Sequence, residues 1–320
     1  MSSTKLVFSF SILLLILVIS MAIKSSKQES VSINSEDLGR KLFFEKALSL
    51  DSSISCASCH IPEFAFSDTV AFSVGVGGRI GLRNAPSVMN TASRDLLFYD
   101  GRAKDLEDQV HFPIEDQNEM SVEYSEVINR LNADPEYVKQ FTTVFGERPN
   151  AKNVAKCIAD FERSLETSDT EFDDYMTDKP SSISESAIRG RELFLSDRAK
   201  CFDCHFGPDF TGDEFRNIGL YDEVTRKDKG RFAITKDSND LGKFKVPGLR
   251  NIAVTGPYMH DGSFKTLEEV VNYYSNPYDF VENPIQMDSV MIKPIHFTEQ
   301  EKQDLVSFLK ALTDRQFLNR

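Results

Sequence analysis

The chain has 320 residues and a net charge of −13, and its aromatic residues are 25 Phe and 9 Tyr, with no Trp. This length suits roughly two domains. The negative charge argues against a nucleic-acid partner and allows a basic protein partner or a small neutral substrate.

The N-terminus has the pattern of a targeting segment. Lys5 precedes an almost unbroken apolar run over residues 6–23, and the small residues at Ser20–Ala22 would permit cleavage. The run of about 18 residues is also long enough for an uncleaved membrane anchor. We therefore expect residues 1–23 to be a signal peptide or an anchor and residues 24–34 to be a polar leader. Either way, the rest of the chain would lie outside the cytoplasm, in the periplasm.

An internal repeat divides the remaining sequence into two halves. Residues 38–60 and 189–205 share the order Gly-Arg-x-Leu-Phe, a short loop and Cys-x-x-Cys-His. Serines at Ser35 and Ser184 can cap the helix that opens each copy. Each half closes with an amphipathic helix, at residues 153–165 and at residues 297–313.

Between the halves, residues 167–181 are polar and contain Pro and Ser, as linkers do. We therefore predict two similar domains, at residues 35–166 and 182–316, built from short helices and long loops. No run of alternating apolar and polar residues predicts a strand.

Four of the five cysteines belong to two Cys-x-x-Cys-His motifs. Two thiols at this spacing can form thioethers to the two vinyl groups of one haem, and the adjacent His then lies under the iron as its proximal ligand. Zinc would favour paired Cys-x-x-Cys ligands close together, and a redox dithiol would need a βαβ pattern that this sequence lacks. The motifs predict two covalently attached haem c groups. Their residues are Cys56, Cys59, His60, Cys201, Cys204 and His205.

The sequence "LEEVVNYY", residues 267–274, predicts an amphipathic helix that begins at a capping box. Its register places Tyr274 on the apolar face with Leu267 and Val271, while Tyr273 points elsewhere. The hydroxyl of Tyr274 therefore needs a buried partner.

Together these motifs resemble those of the bacterial di-haem cytochrome c peroxidases, a family that includes the di-haem enzyme that matures methylamine dehydrogenase. The resemblance spans residues 36–315 and follows the family's order. Besides the Cys-x-x-Cys-His motifs and the last helix, it is carried by GLRNAPS (81–87), LFYDGRAKDLEDQV (97–110), NEM (118–120) and FKVPGLRNIAVTGPYMHDGSFKTLEEVV (244–271). It implies an all-α fold of two class-I cytochrome c-like domains, each with one covalently attached haem c. It also implies that the N-terminal haem reacts with peroxide and that the C-terminal haem exchanges electrons with the donor.

The resemblance assigns further roles by position. Glu119 matches the distal acid–base residue, Gln109 matches an amide of the same pocket, and Pro113 shapes that pocket. A carboxylate near the open face of an iron can move a proton between the two peroxide oxygens, which is worth about 10²–10⁴-fold in rate. The resemblance also implies one calcium ion between the haems. Its ligands would be oxygens of Asn84, Thr255 and Pro257.

The first departure from the family pattern concerns the N-terminal iron. Many family members hold a resting-state His ligand in the loop before the sequence RNAP. Here that loop has Val76 and no His. We therefore expect the N-terminal haem to be five-coordinate or water-bound.

A second departure concerns the C-terminal iron. Family members commonly place a Met ligand 14 residues after the His of the sequence HDG, and here that position is Tyr274, as in the maturation enzyme. A phenolate stabilises Fe(III), so we expect reaction with peroxide from the all-ferric state. The alternative ligands are Met259, Met287 and Met291.

A third departure is the absence of Trp. Tyr99 replaces a Trp that family members place between the haems, and it could still relay electrons. Ala199 replaces a surface Trp that the maturation enzyme uses to oxidise its protein substrate. Long-range oxidation of a bound protein is therefore less well supported.

The leading prediction is a periplasmic enzyme that reduces hydrogen peroxide to water with electrons from a small cytochrome c or a cupredoxin. One alternative is a peroxide-dependent oxidase that modifies a protein or a small molecule, as Tyr274 suggests. The other is a non-catalytic di-haem electron carrier, against which the open first iron and Glu119 argue. A homodimer is left open.

Overall fold

The computed structural model describes residues 33–177, 179 and 182–318. The expected targeting segment at residues 1–23 and nearly all of the polar leader at residues 24–34 lie outside these ranges. Among the described residues, none belongs to a helix long and apolar enough to span a bilayer.

Short helices joined by long loops make up most of the structure, which confirms the prediction of a mainly helical fold. The helices of the N-terminal half are α1 (Ser35–Phe43), α2 (Leu106–Gln109), α3 (His111–Glu115), α4 (Tyr124–Ala133), α5 (Pro135–Phe145) and α6 (Ala151–Ser164). Those that follow are α7 (Glu171–Met176), α8 (Glu185–Phe194), α9 (Phe232–Thr235), α10 (Leu267–Ser275) and α11 (Glu299–Lys310). Two short antiparallel strands, β1 (Phe215–Arg216) and β2 (Phe244–Lys245), pair with Phe215 opposite Lys245.

The repeated Gly-Arg motif has a packing role that is the same in both halves. Helix α1 packs on α6, and α8 packs on α11. A Cβ atom at Gly39 would stand 1.8 Å from the carbonyl oxygen of Cys157, and one at Gly190 would stand 1.9 Å from that of Asp304. Both distances are far below van der Waals contact, so glycine is what allows each helix pair to approach this closely.

We expect Gly39→Ala or Gly190→Ala to destabilise the protein by about 1–3 kcal/mol or more, because the added methyl group must push two packed helices apart. Chemical unfolding of the holoprotein would measure this loss. Gly81→Ala is a matched control, since its Cβ would have no neighbour nearer than 3.5 Å. Equal stability of all three variants would contradict the close helix contacts.

Three phenylalanines meet under each Cys-x-x-Cys-His motif. In the N-terminal half, the ring centroids of Phe43, Phe66 and Phe161 lie 5.2–6.1 Å apart with edge-to-face geometry. The corresponding rings in the C-terminal half lie 5.3–6.0 Å apart and belong to Phe194, Phe210 and Phe308. Each trio joins the repeated Leu-Phe sequence, the loop after the motif and the closing helix, so it fixes the motif against the helix pair.

The helix caps predicted from the sequence are present in the structure, except at Ser35. The side chain of Ser184 accepts a hydrogen bond from the backbone of Ala187. Thr266 forms the predicted capping box, and Thr298 forms another at the start of α11. Ser35 instead lies inside α1, and its hydroxyl donates to Asp160 on α6 at 2.6 Å. It therefore ties the first helix pair together.

The segment predicted as a polar linker contains helix α7, which was not predicted from the sequence. Thr170 forms a capping box with Asp173, and Phe172 is 9% exposed. The ring of Phe172 packs against Phe210 and Phe308 at 5.3 and 5.8 Å. One apolar residue in an acidic stretch thus anchors this helix on the second core. The domain limits at residues 35–166 and 182–316 stay a prediction.

Candidate functional site

Both Cys-x-x-Cys-His motifs fold into the same tight turn. Residues Cys56–Ser58 and Cys201–Asp203 are 3₁₀ helices, and each following His donates its backbone N–H to the first Cys carbonyl at 2.9 Å. Side chains three residues apart eclipse in a 3₁₀ helix, which brings the two thiols of each motif together. All five cysteines are free thiols, and the fifth, Cys157, is fully buried.

The two imidazoles are oriented by backbone carbonyls. His60 Nδ1 lies 3.1 Å from the carbonyl oxygens of both Phe66 and Pro86, and His205 Nδ1 lies 2.9 Å from that of Phe210. A carbonyl can only accept, so Nδ1 carries the proton and Nε2 keeps its lone pair. Burial lowers the pKa of both rings, which favours the neutral form. Neutral imidazole with a free Nε2 is the form that binds iron.

A cavity of about 350 Å³ borders the second motif, where it is lined by Cys201, Cys204 and His205. Its size is within the range of small-molecule sites. Much of its remaining wall is apolar. Basic side chains also line it, namely Arg94, Lys200, Arg216, Lys245 and Arg250. Thiols, an imidazole, apolar walls and cations that can pair with propionates together fit a haem.

Tyr274 lines the same cavity. Its hydroxyl forms no hydrogen bond with any residue in the described part of the chain. Burial raises the pKa of this phenol. Met259 and Met291 also line the cavity, whereas the side chain of Met287 packs at Gly219 and is absent from the wall. The geometry therefore allows Tyr274, Met259 or Met291 to face a group bound above His205.

The neighbouring Tyr273 is fully buried, whereas Tyr274 is partly buried, although the helical register placed Tyr273 away from the apolar face. It is 0% exposed, and its hydroxyl donates to the carbonyl of Ile218 at 2.6 Å. Rings of Phe264 and Phe280 pack against it at 5.3 and 5.7 Å. Loops cover a second face of α10, which a periodicity within one helix cannot predict.

At the first motif, the glycine-rich loop packs against the segment that carries Glu119. The backbone N–H of Val76 donates to the carbonyl of Glu119 at 2.9 Å, and a Cβ on Gly75 would stand 2.0 Å from the carbonyl oxygen of Asn118. Val76 is 3% exposed. The position where family members often carry a His is therefore an apolar, buried contact beside Glu119.

The carboxyl group of Glu119 is partly buried and electrostatically perturbed. Burial raises its pKa to about 6, Asp116 adds to this shift, and Arg102 opposes it. The charge of Glu119 in turn contributes to the raised pKa of the Cys56 and Cys59 thiols, for which burial is the main cause. This charge effect on both thiols indicates that Glu119 lies in the neighbourhood of the first motif.

The other residues assigned to this pocket lie on neighbouring short helices. Gln109 ends α2 and Pro113 lies in α3, and the backbone of Met120 donates to the Pro113 carbonyl at 3.1 Å. Arg102 stacks 3.6 Å from the ring centroid of Phe98. The backbone hydrogen bond from Met120 thus ties the segment around Glu119 to α3.

The residues that the family resemblance assigns to calcium binding and to electron transfer between the haems line one cavity. Asn84, Thr255, Pro257 and Tyr99 all line the cavity that reaches His205. The hydroxyl of Tyr99 lies 3.5 Å from Asn84 Oδ1. The amide nitrogen of Asn84 donates to the Val70 carbonyl at 3.1 Å. Amide and carbonyl oxygens, which these residues offer, are the ligand types that calcium takes in proteins.

One buried acid near the first motif was missed from the sequence. Glu162 on α6 is 4% exposed, and burial raises its pKa to about 8. It follows Ile158 by four residues, so it lies on the predicted apolar face of its helix. A charged residue within that face was the signal that could have identified it.

Comparisons with known proteins agree with this arrangement. Residues 34–181 match a family model described as di-haem cytochrome c peroxidase, and residues 187–313 match a cytochrome c model. The chain is 37% identical over 277 residues to the methylamine utilization protein MauG of Methylorubrum extorquens, an alignment that covers 86% of this chain and 77% of that protein. It is 33% identical over 283 residues to the cytochrome c551 peroxidase of Nitrosomonas europaea, covering 88% and 80%. A crystal structure of a MauG-like protein associated with microbial copper homeostasis aligns with a TM-score of 0.81 at 33% identity, covering 89% of this chain and 90% of that one.

Proposed function

Because the chain belongs to the di-haem cytochrome c peroxidase family, we propose that it reduces hydrogen peroxide to two waters with electrons from a small cytochrome c or a cupredoxin. One asymmetry carries the proposal. Glu119, an acid with a pKa near 6, lies by the first motif, whereas Tyr274 faces the cavity at the second. The test is peroxide consumption by the holoprotein with each reduced donor. If no donor supported turnover, the remaining candidates would be a peroxide-dependent oxidase and a non-catalytic di-haem electron carrier.

We propose that one haem c is attached to Cys56 and Cys59 above His60, and a second to Cys201 and Cys204 above His205. The matching 3₁₀ turns and the carbonyl-bound Nδ1 atoms support both assignments. When bound, each haem supplies an iron that takes up and releases electrons singly. The domains at residues 35–166 and 182–316 would each hold one of them.

Glu119 would take a proton from one peroxide oxygen and return it to the other. It must be ionised to accept that proton and protonated to return it, and a pKa close to the working pH serves both tasks. Gln109 would orient the substrate through its amide group, and Pro113 would shape the pocket.

The peroxide reaction is expected to slow below pH 6. The raised pKa of Glu119 means that its carboxyl is protonated at lower pH and cannot accept a proton. We therefore expect kcat/KM to fall about tenfold for each pH unit below about 6, and to level off above it. Stopped-flow rates measured above and below pH 6 would show whether kcat/KM falls in this way. If kcat/KM of Glu119→Gln fell over the same pH range, another group would be the cause.

At the second site we propose that Tyr274 is the sixth ligand of the iron above His205. Its hydroxyl faces the cavity without a protein partner, which is the observation that favours it over Met259 and Met291. Tyr99, which lines the same cavity, would relay electrons between the two haems.

We propose one calcium ion between the haems, held by Asn84, Thr255 and Pro257. Asn84→Ala is expected to weaken calcium binding by roughly tenfold or more, since even outer-shell partners of metal sites contribute about 10–100-fold. Calorimetric titration after chelator treatment would measure the affinity. Asn239→Ala is the control, because Asn239 is exposed in a 3₁₀ turn and does not line the cavity. Equal affinity of both variants would place the ion elsewhere.

Tyr274 also favours a second candidate function, a peroxide-dependent oxidase that modifies a protein or a small molecule. Peroxide consumption without any electron donor, together with oxidation of an added substrate, would support this alternative. We further propose export to the periplasm through residues 1–23, cleaved or retained as an anchor. The N-terminal sequence of the mature protein would distinguish the two.

A further inference from the structure

One arginine on helix α4 binds the segment that connects α1 to the first Cys-x-x-Cys-His motif, here called the entry turn (residues 45–54). The guanidinium of Arg130 donates to three backbone carbonyls of the entry turn at 2.7–3.1 Å, and a further N–H is paired within α4 at 3.0 Å. The three carbonyls belong to Ala47, Ser49 and Leu50. Arginine has five N–H donors in a fixed planar fork, so most of its donors are used here and the fork holds the turn in one shape.

One side of the entry turn is bonded to the segment that carries Glu119. The backbone N–H of Leu50 donates to the carbonyl of Met120 at 2.9 Å. Met120, the residue after Glu119, is 3% exposed, and its own N–H donates to the carbonyl of Pro113 at 3.1 Å. Met120 is therefore held by the entry turn at its carbonyl and by α3 at its N–H. Because only two dihedral angles per residue are free, the direction of the Glu119 side chain depends on both contacts.

The other side of the entry turn leads into the first motif. The hydroxyl of Ser49 accepts from the backbone N–H of Ile54 at 3.3 Å and donates to the carbonyl of Lys46 at 2.9 Å. Ile54 stands two residues before Cys56. Ser49 is fully buried, and its carbonyl makes the shortest of the three bonds with Arg130. The residue that fixes the approach to the motif is thus itself fixed by the arginine.

A simpler account is that Arg130 only completes the hydrogen bonds of the short 3₁₀ helix Lys46–Leu48. The last carbonyls of a helix lack partners inside it, so a donor at that end adds stability. However, one of the three bound carbonyls belongs to Leu50, which lies beyond this helix. Leu50 is the residue whose N–H binds Met120. The arginine therefore reaches past the helix end to the contact with the Glu119 segment.

We propose that Arg130 is a positioning residue that sets the separation between Glu119 and the first motif. The inference rests on the proposed function, in which Glu119 moves the proton. The planar fork holds the entry turn, and the turn holds Met120 on one side and Ile54 on the other. Proton transfer needs heavy atoms about 2.6–3.2 Å apart, and a misplacement of about 1 Å can cost about 10²-fold in rate. A loosened turn would therefore reduce the reaction without removing any group that touches the substrate.

The test compares Arg130→Ala with the native holoprotein in two measurements. Stopped-flow mixing with peroxide should show a fall of about 10–100-fold in kcat/KM. Infrared titration should measure the pKa of the Glu119 carboxyl, with Glu119→Gln identifying its signal. We expect this pKa to fall from about 6 towards the ordinary value of about 4.3, because burial is the main cause of its rise and a displaced segment admits water.

Arg148→Ala is the matched control, because Arg148 also binds α4 through its guanidinium. It donates to the side chain and the carbonyl of Asn132 at 2.9 and 3.0 Å, and neither bond involves the entry turn. Its loss should leave kcat/KM and the pKa of Glu119 unchanged. Glu126→Gln should also leave both unchanged, because it removes only the partner of Arg130 within α4 and keeps the three carbonyl bonds.

Content of two haems per chain would confirm that each variant is folded. If Arg130→Ala did not retain haem, Arg130→Lys would replace it, since lysine keeps the charge but lacks the planar fork and should shift both readouts in the same direction by less. An unchanged pKa of Glu119 in the folded variant, or an equal shift in Arg148→Ala, would overturn the proposal. A native protein that consumed no peroxide would contradict the proposed function, while the infrared titration would still decide the role of Arg130.

Discussion

Glu119→Gln is expected to lower peroxide turnover by about 10²–10⁴-fold, the usual contribution of a well-placed general acid–base. Glutamine keeps the shape of the side chain but cannot accept and return a proton at this position. The effect should fall on kcat and kcat/KM together, because the proton moves in the transition state. Peroxide consumption with reduced cytochrome c would measure it.

Glu123→Gln provides the comparison for this experiment. Glu123 is exposed, precedes α4 and makes no side-chain cap, so its loss should leave turnover unchanged. Turnover that survived in Glu119→Gln would remove Glu119 from the mechanism. An equal loss in both variants would point to a general effect of charge on the docking of the donor.

Tyr274→Met is expected to raise the reduction potential of the second haem by a few tenths of a volt, within the roughly 0.8 V range that axial ligands cover. A thioether is a neutral ligand and favours Fe(II), whereas a phenolate is anionic and favours Fe(III). The native oxidised protein should change its spectrum on mixing with peroxide before any reductant is added. The variant should require prior reduction. Redox titration and stopped-flow spectroscopy would measure the two effects.

The adjacent tyrosine offers a close control. Tyr273→Phe removes a hydrogen bond to Ile218 and should cost about 0.5–1.5 kcal/mol in stability. Tyr273 does not line the cavity, so the potential should stay as in the native protein. Equal potentials in the native protein and in Tyr274→Met would assign the sixth ligand to another residue, with Met259 and Met291 the next to test.

Much of the fold was predictable because its signals are local. The repeat places Gly39 and Gly190 at equivalent helix contacts, and the capping boxes at Thr266 and Thr298 mark two helix starts. The proposed covalent attachment to one macrocycle would fix the Cys-x-x-Cys-His spacing whatever the surrounding loops. These features depend on residues a few positions apart.

What was missed depends on contacts between distant segments. Tyr273 is buried by loops that no periodicity within α10 reveals, and Phe172 anchors an acidic helix on a core assembled elsewhere. Glu162 was overlooked because acidic residues are common in this chain, while its burial requires α2 to pack on α6. The roles of Glu119 and Asn84 came from the family resemblance, since a lone Glu or Asn carries no signal by itself.

The carbonyls that hold the two imidazoles come from Phe66 and Phe210, and both phenylalanines are members of the aromatic trios in the core. Support for each proposed proximal ligand, His60 and His205, is therefore built into the packing that keeps each half folded. The segments around Val76 and Tyr274 are not part of these trios, so they can diverge without loosening that support. In a duplicated scaffold of this kind, the reactivity of one site can change in evolution while the equivalent site in the other half keeps a role in electron transfer.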